Sequence, residues 1–167
     1  MLSKPMKTQY GVGMMEVLVA IVILSIAILG FVALQVRATV ATEEAIKRSD
    51  ALVILHGLAE KIRLNSAGDY SQAIPTTKIE CTLDSSCISD DQALADLYEQ
   101  QQFAKNKNIT LGVVSCPNTS ANQNRICLIA AWNETEAEVA GANETNECLN
   151  SNGKYVSNSD CLVLEAY

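Results

Sequence analysis

The sequence predicts an α+β protein: a long amino-terminal helix packed on a small antiparallel β-sheet, with a short helix and disulfide-stapled loops. Three observations predict it. Twenty consecutive residues from Val17 to Val36 carry no charge. No proline stands between Lys7 and Ile74, so one helix can run on into the amphipathic stretch that follows. Three short runs rich in branched apolar residues then occupy the second half of the chain, among six cysteines.

The amino-terminal segment comes first. Twenty uncharged residues at about 1.5 Å each make about 30 Å of helix, the thickness of a bilayer's hydrocarbon core. Residues 1–11 carry Lys4 and Lys7 and no acid. Positive charge before an apolar stretch holds that end in the cytoplasm and sends the remainder across. Glu16 is the only charged residue between Lys7 and Arg37. A carboxylate at mid-membrane costs about 2.5–3.5 kcal/mol on translocon scales, and less near the interface. Glu16 therefore needs a reason. A secretory signal peptide has a shorter apolar core and a small-residue cleavage site. Val36–Ala38 and Thr39–Ala41 imitate such a site, but the core is too long. A plain anchor fits the length and leaves Glu16 unexplained. A third reading gives Glu16 a partner: a cut after Gly11 frees an α-amine on Val12 and makes Glu16 the fifth residue. Ammonium and carboxylate then neutralise one another, within a subunit or between neighbours.

Beyond Arg37 the helix continues. Leu52, Leu55, Leu58 or Ala59, and Ile62 recur at three- and four-residue steps, an amphipathic stripe. Glu43–Lys47 and Glu44–Arg48 are i,i+4 pairs of the favourable polarity. Asn65, Ser66 and Gly68 supply the stop. Residues 17–64 as one helix would span about 72 Å. No sustained heptad runs through Glu43–Arg63, which argues against a coiled coil. Ser89 and Gln92 have capping-box spacing and predict a short helix over Asp90–Phe103. Strands are predicted at Asn108–Cys116, Arg125–Trp132 and Cys161–Tyr167, the first two antiparallel.

Composition narrows the function classes. The net charge is -7, and no basic run is interleaved with aromatics, which argues against nucleic-acid binding. The six cysteines, Cys81, Cys87, Cys116, Cys127, Cys148 and Cys161, all lie beyond the apolar segment. An even count on one side of a membrane segment indicates disulfides in an oxidising compartment. There is no CxxC, and the only histidine, His56, is far from every cysteine in sequence, so zinc is disfavoured. Six cysteines permit 15 connectivities. Nearest-neighbour pairing, Cys81–Cys87, Cys116–Cys127 and Cys148–Cys161, is the favoured hypothesis. Each bridge would contribute roughly 2–4 kcal/mol, useful to a small domain with few aromatics. His56 has no nucleophile or carboxylate constellation around it and reads as structural or surface. Asp84, Asp90 and Asp91 lack the ligand spacing and central glycine of a calcium loop, and read as solvated or helix-start charges. Asn108, Asn118, Asn133 and Asn143 each begin an N-x-[ST] triplet, read as accidental. Trp132 reads as core. No catalytic residue, metal or cofactor is predicted.

The pattern of Gly11, four residues, Glu16 and an apolar run, within GVGMMEVLVAIVILSIAILGFVALQ, resembles the type IV prepilin family. A cut after Gly13 would leave Glu16 third and break that spacing. Val12 stands where the family usually has Phe, and Gly13 where a small hydroxyl residue is more usual. The resemblance implies residues 1–11 as a leader removed by a prepilin peptidase, Val12 as the methylated new terminus, and Glu16 as the group that registers an incoming subunit. It further implies residues 12–64 as the long helix, with 17–36 transmembrane, and 65–167 as a periplasmic or extracellular globular domain.

Within the family the chain is similar to minor pilins of the PilV type, because the helix lacks the proline that major subunits carry. LAEKIRLNSAGDY, DQALADLYEQQ and CLVLEAY are similar to that group's helix end, short helix and last strand. The implied role is an assembly subunit at the filament tip, without catalysis. Implied partners are other minor and major pilins, the inner-membrane assembly platform, and the peptidase. The rival in the same fold is a minor pseudopilin of a type II secretion system. A different class is a periplasmic binding or sensing module on an uncleaved anchor.

Overall fold

The computed structural model describes residues 11, 13–81, 87–119, 125–141 and 146–166. Helix α1 spans Met14–Leu64 and α2 Ser89–Lys105. The strands are β1 (Thr110–Ser115), β2 (Ile126–Ala131), β3 (Glu136–Val139), β4 (Glu147–Leu149) and β5 (Cys161–Ala166). The fold is the expected pilin-like α+β arrangement of long helix, short helix, small antiparallel sheet and three disulfides. The chain divides into two compact units, one through Glu43 and one from Glu44 to Tyr167.

In the first unit every described residue is exposed. The apolar side chains of Met14–Glu43 surround the helix on all faces, and α1 is long and apolar enough to cross a membrane. Its hydroxyls are absorbed by the helix itself. Ser25 Oγ donates to the Ile21 carbonyl at 2.7 Å, Thr39 Oγ1 to that of Gln35 at 2.9 Å, and Thr42 Oγ1 to that of Ala38 at 2.8 Å. Back-bonding of this kind lets a hydroxyl sit in an apolar medium without an unsatisfied donor.

In the second unit β1, β2 and β5 form one antiparallel sheet in the order β1-β2-β5. Its middle strand is buried on both faces. Leu128 and Ala130 join the core built on α1 and α2, with Ile54, Leu55, Leu58 and Leu97. Ile129 and Ala131 face Ala137, Cys148 and Leu149 from a second, two-stranded sheet, and Cys161 of β5 joins this cluster. The result is three layers, and it explains why Ile126–Ala131 is almost uninterruptedly apolar. The second sheet, β3 parallel to β4, has no counterpart in the sequence-based expectations. It comes so close to the first that a Cβ on Gly112 would lie 1.9 Å from the Ala137 carbonyl oxygen. Only glycine fits there.

Two local expectations are corrected. The buried stripe of α1 is Ala51, Ile54, Leu55, Leu58, Ala59 and Ile62, and Leu52 is 47% exposed. Ala51 and Leu52 stand four and three residues before Leu55, so both satisfy the helical spacing, and the structure buries the alanine. The Ser89–Gln92 capping box does not form either. The cap residue of α2 is Ile88, without a side-chain hydrogen bond, and Ser89 is already helical. Asp90 Oδ1 instead accepts the Asp69 N–H at 2.9 Å, and Asp90 and Asp91 place negative charge in the first turn.

The disulfides join Cys81 to Cys87, Cys116 to Cys127 and Cys148 to Cys161, with Cα separations of 5.5, 4.9 and 5.8 Å. The second ties the end of β1 to β2. The third ties β4 to the start of β5 and closes a turn-rich loop between them.

Candidate functional site

The candidate site at the head of α1 is built by the helix start. The Gly13 carbonyl accepts the Glu16 N–H at 3.0 Å and the Val17 N–H at 3.4 Å, which opens the first turn. Glu16 sits in that turn. There its carboxylate meets the positive end of the helix dipole, worth about 0.3–1 kcal/mol at exposed positions. This is a second physical reason for an acid at that position, and one that sequence spacing alone did not supply. Glu16, Val17, Ala20, Ile21 and Leu24 line a shallow cleft of about 340 Å³ along one side of the helix. The cleft is apolar except for the carboxylate at its head, a surface suited to another apolar helix bearing a positive group. Gly11 is exposed. Val12, the expected new terminus, lies outside the described residues.

Polar ties in the second unit hold α1 against the domain. Asp96, 7% exposed, accepts from the Tyr70 hydroxyl at 2.8 Å, from Lys61 Nζ at 3.0 Å and from Gln92 Nε2 at 3.1 Å. Lys61 Nζ also donates to Glu99 Oε2 at 2.9 Å. Burial is the largest single influence on Lys61 and pulls its pKa down, but the hydrogen bonds to Glu99 and Asp96 together outweigh it and raise the pKa. Burial first, and Asp96 second, push the Tyr70 hydroxyl up to about 12. Gln100 Nε2 donates to the Ile54 carbonyl at 2.8 Å and ties α2 to α1 directly. Trp132 is buried, as expected, and its Nε1 donates to Glu44 Oε2 at 3.1 Å across 88 residues of sequence. Glu44 also accepts from Arg48 at 2.8 Å. That bond holds the Glu44 pKa below its usual value, against a smaller opposing effect of burial and with help from Trp132.

The residues set aside in the sequence take ordinary places. His56 is exposed beside Glu60 and Arg63. Asn108, Asn118 and Asn133 all adopt positive φ, between 53° and 60°. Asparagine is favoured in that left-handed region, so turn geometry accounts for three of the four N-x-[ST] triplets. The fourth, Asn143, and Asp84 lie outside the described residues. Among the described residues one grouping has the proximity of a metal site: Cys116, Cys127 and Glu165. Its two sulfurs are joined to one another, so it offers no thiolate.

A family model described as type IV pilin Tt1218 matches residues 33–127, more than half of the chain. The chain belongs to this Tt1218-like type IV pilin family. The match begins beyond Gly11 and Glu16, so it stands independently of the motif at the head of the helix. No curated protein matches the chain, and no solved structure does. Family membership and the long apolar helix fit a membrane-anchored pilin, a structural rather than catalytic protein that associates with other pilins in a pilus.

Proposed function

We propose that this pilin is a minor subunit of the PilV type that primes filament assembly at the tip. The prepilin peptidase cuts after Gly11, Val12 becomes the methylated terminus, and Glu16 registers the subunit against the terminus of a neighbour. The domain is periplasmic before assembly and lies on the cell surface afterwards, with the leader on the cytoplasmic side. The observation that carries the reading is the lone carboxylate of Glu16, five residues beyond Gly11, in the first turn of a helix otherwise uncharged through Val36. A plain anchor offers the same carboxylate no cationic partner. The absence of proline from α1 supports a minor over a major subunit.

Glu16→Ala tests the role of the carboxylate. The variant is expected to accumulate in the membrane at wild-type level and to fall about tenfold or more in sheared filaments, as the loss of a desolvated ion pair predicts. Undiminished incorporation would remove the registration role. Deletion of the gene distinguishes the two filament systems: lost piliation supports the pilus, and lost protein secretion with intact pili supports the pseudopilin.

A further inference from the structure

The second unit contains a groove that pilin assembly through α1 does not use. It has a volume of about 860 Å³ and runs along the outer edge of β1. Five consecutive β1 residues, 110–114, line it. Side chains alternate between the two faces of a strand, so contact with every residue in a row places the groove at the strand's edge. Ile74 walls one side and the 133–139 segment the other.

The edge is open for pairing. The Cys116 N–H donates inward to the Arg125 carbonyl at 3.1 Å, whereas the Leu111 N–H donates outward to Gln101 Oε1 at 3.2 Å. In an antiparallel ladder, alternate residues turn both backbone groups to the same neighbour. Thr110, Gly112 and Val114 therefore turn their backbone groups to β2, and Leu111, Val113 and Ser115 turn theirs outward, the first two at the groove. Gln101 occupies the donor of Leu111. The outward N–H and C=O of Val113 and Ser115 have no partner among the described residues. Such an edge is a template for another strand. The groove wall carries Glu134, Glu136 and Glu138, all exposed, and none forms an ion pair among the described residues. Val113 and Val139, both half-buried, add apolar lining to the groove.

We propose that this groove docks an extended polypeptide segment bearing lysine or arginine, which adds to β1 as a fourth strand of the sheet. Backbone pairing at Val113 and Ser115 gives the segment its direction. The three glutamates select positive charge at alternate positions. The inference rests on the β1 edge alone and is independent of cleavage at Gly11 and of tip placement.

The test uses the full chain in detergent micelles and three dye-labelled nonapeptides, read by fluorescence polarisation. The first alternates lysine or threonine with valine. The second replaces its lysines with glutamate. The third keeps the lysines and replaces the central valine with proline. The lysine peptide is expected to bind at least about tenfold more tightly than either of the others, because one loses charge complementarity and the other a ladder donor. The combined variant Glu134→Lys, Glu136→Lys, Glu138→Lys is expected to keep its melting temperature and to reverse the charge preference. Val113→Pro, which removes an outward donor and leaves the ladder to β2 intact, should weaken binding of all three. Equal binding of the valine and proline peptides would overturn strand addition. An unchanged preference in the triple variant, or no saturable binding up to about 1 mM, would overturn the proposal as a whole. Self-association that the lysine peptide does not compete away would assign the groove to a second copy, and overturn the stated occupant.

Discussion

Along α1, the stretch Met14–Glu43 buries none of its described side chains, whereas Glu44–Leu64 buries six. Both stretches are rich in leucine, isoleucine, valine and alanine, but the first carries three charged residues and the second seven, and their arrangement differs as well. In the first, apolar residues occupy every face, and the hydroxyls of Ser25, Thr39 and Thr42 are turned back onto the helix. In the second, Ala51, Ile54, Leu55, Leu58, Ala59 and Ile62 keep one face. Lys61, Arg48 and Glu44 are drawn into named partnerships on the others. One stretch is suited to an apolar solvent and the other to a protein core with water opposite.

The largest expected contrast follows directly. Leu58→Ala should lower the unfolding free energy of the domain by about 2–5 kcal/mol. Leu24→Ala should leave it within about 0.5 kcal/mol. Urea titrations followed by Trp132 fluorescence measure both. A comparable loss from Leu24→Ala would break the division between the two stretches.

Replacing Cys148 and Cys161 together by serine should cost about 2–4 kcal/mol, since the bridge restricts the unfolded chain and ties β4 to β5. The same titration in the oxidised wild type gives the reference. Cleavage and membrane insertion should be unchanged, because nothing in the first unit depends on it.

The third contrast is pH dependence, confined to the Glu44–Leu64 side. Tyr70 has a folded pKa of about 12, above its ordinary value of 10.0, and the pKa of Lys61 is also raised. Both groups hold their protons more tightly when folded. Their contribution is present below the unfolded values, about 10 for Tyr and 10.4 for Lys, and is lost as pH rises through the folded values. Urea midpoints should hold up to about pH 9 and fall between about 10 and 12. Tyr70→Phe should flatten that fall, and an equally steep fall in the variant would exclude Tyr70 as its source.

The smallest effect belongs to Arg48→Ala. Its pair with Glu44 is largely exposed, so the urea midpoint should fall only slightly, and by less still in high salt. A fall as large as that of the disulfide variant would mean that Glu44 is held for Trp132 mainly by Arg48.

The long helix was legible because its two signals, an uncharged run and an absence of proline, need no tertiary information. The three strands of the main sheet were legible within two residues at their ends, since β2 is apolar on both faces and β5 carries the branched apolar run Leu162–Leu164. β3 and β4 were not. Glu136–Val139 alternates correctly, but glutamate is depleted in strands, and runs of four and three residues give a period little room to show. Leu52 misled because it and Ala51 both fit a three- or four-residue step to Leu55, and spacing alone does not choose between them. At the candidate site, the spacing of Gly11 and Glu16 is local and readable. The position of Glu16 at the positive end of α1 needed the helix start. The β1 groove was invisible, since its walls come from residues 72–74 and 133–139, distant segments on either side of β1 in the chain.

The central claim is that the chain is cut after Gly11 and that the carboxylate of Glu16 serves the terminus so made. Intact mass and amino-terminal sequencing of the protein from membranes test it most directly, with a prepilin-peptidase-deficient strain as control. The account predicts a terminus at methylated Val12 in the wild type and an uncut chain beginning at Met1 in the control. Met1 in both strains, or a terminus at Thr39 or Thr42, would contradict it and leave the carboxylate of Glu16 with no new terminus to serve.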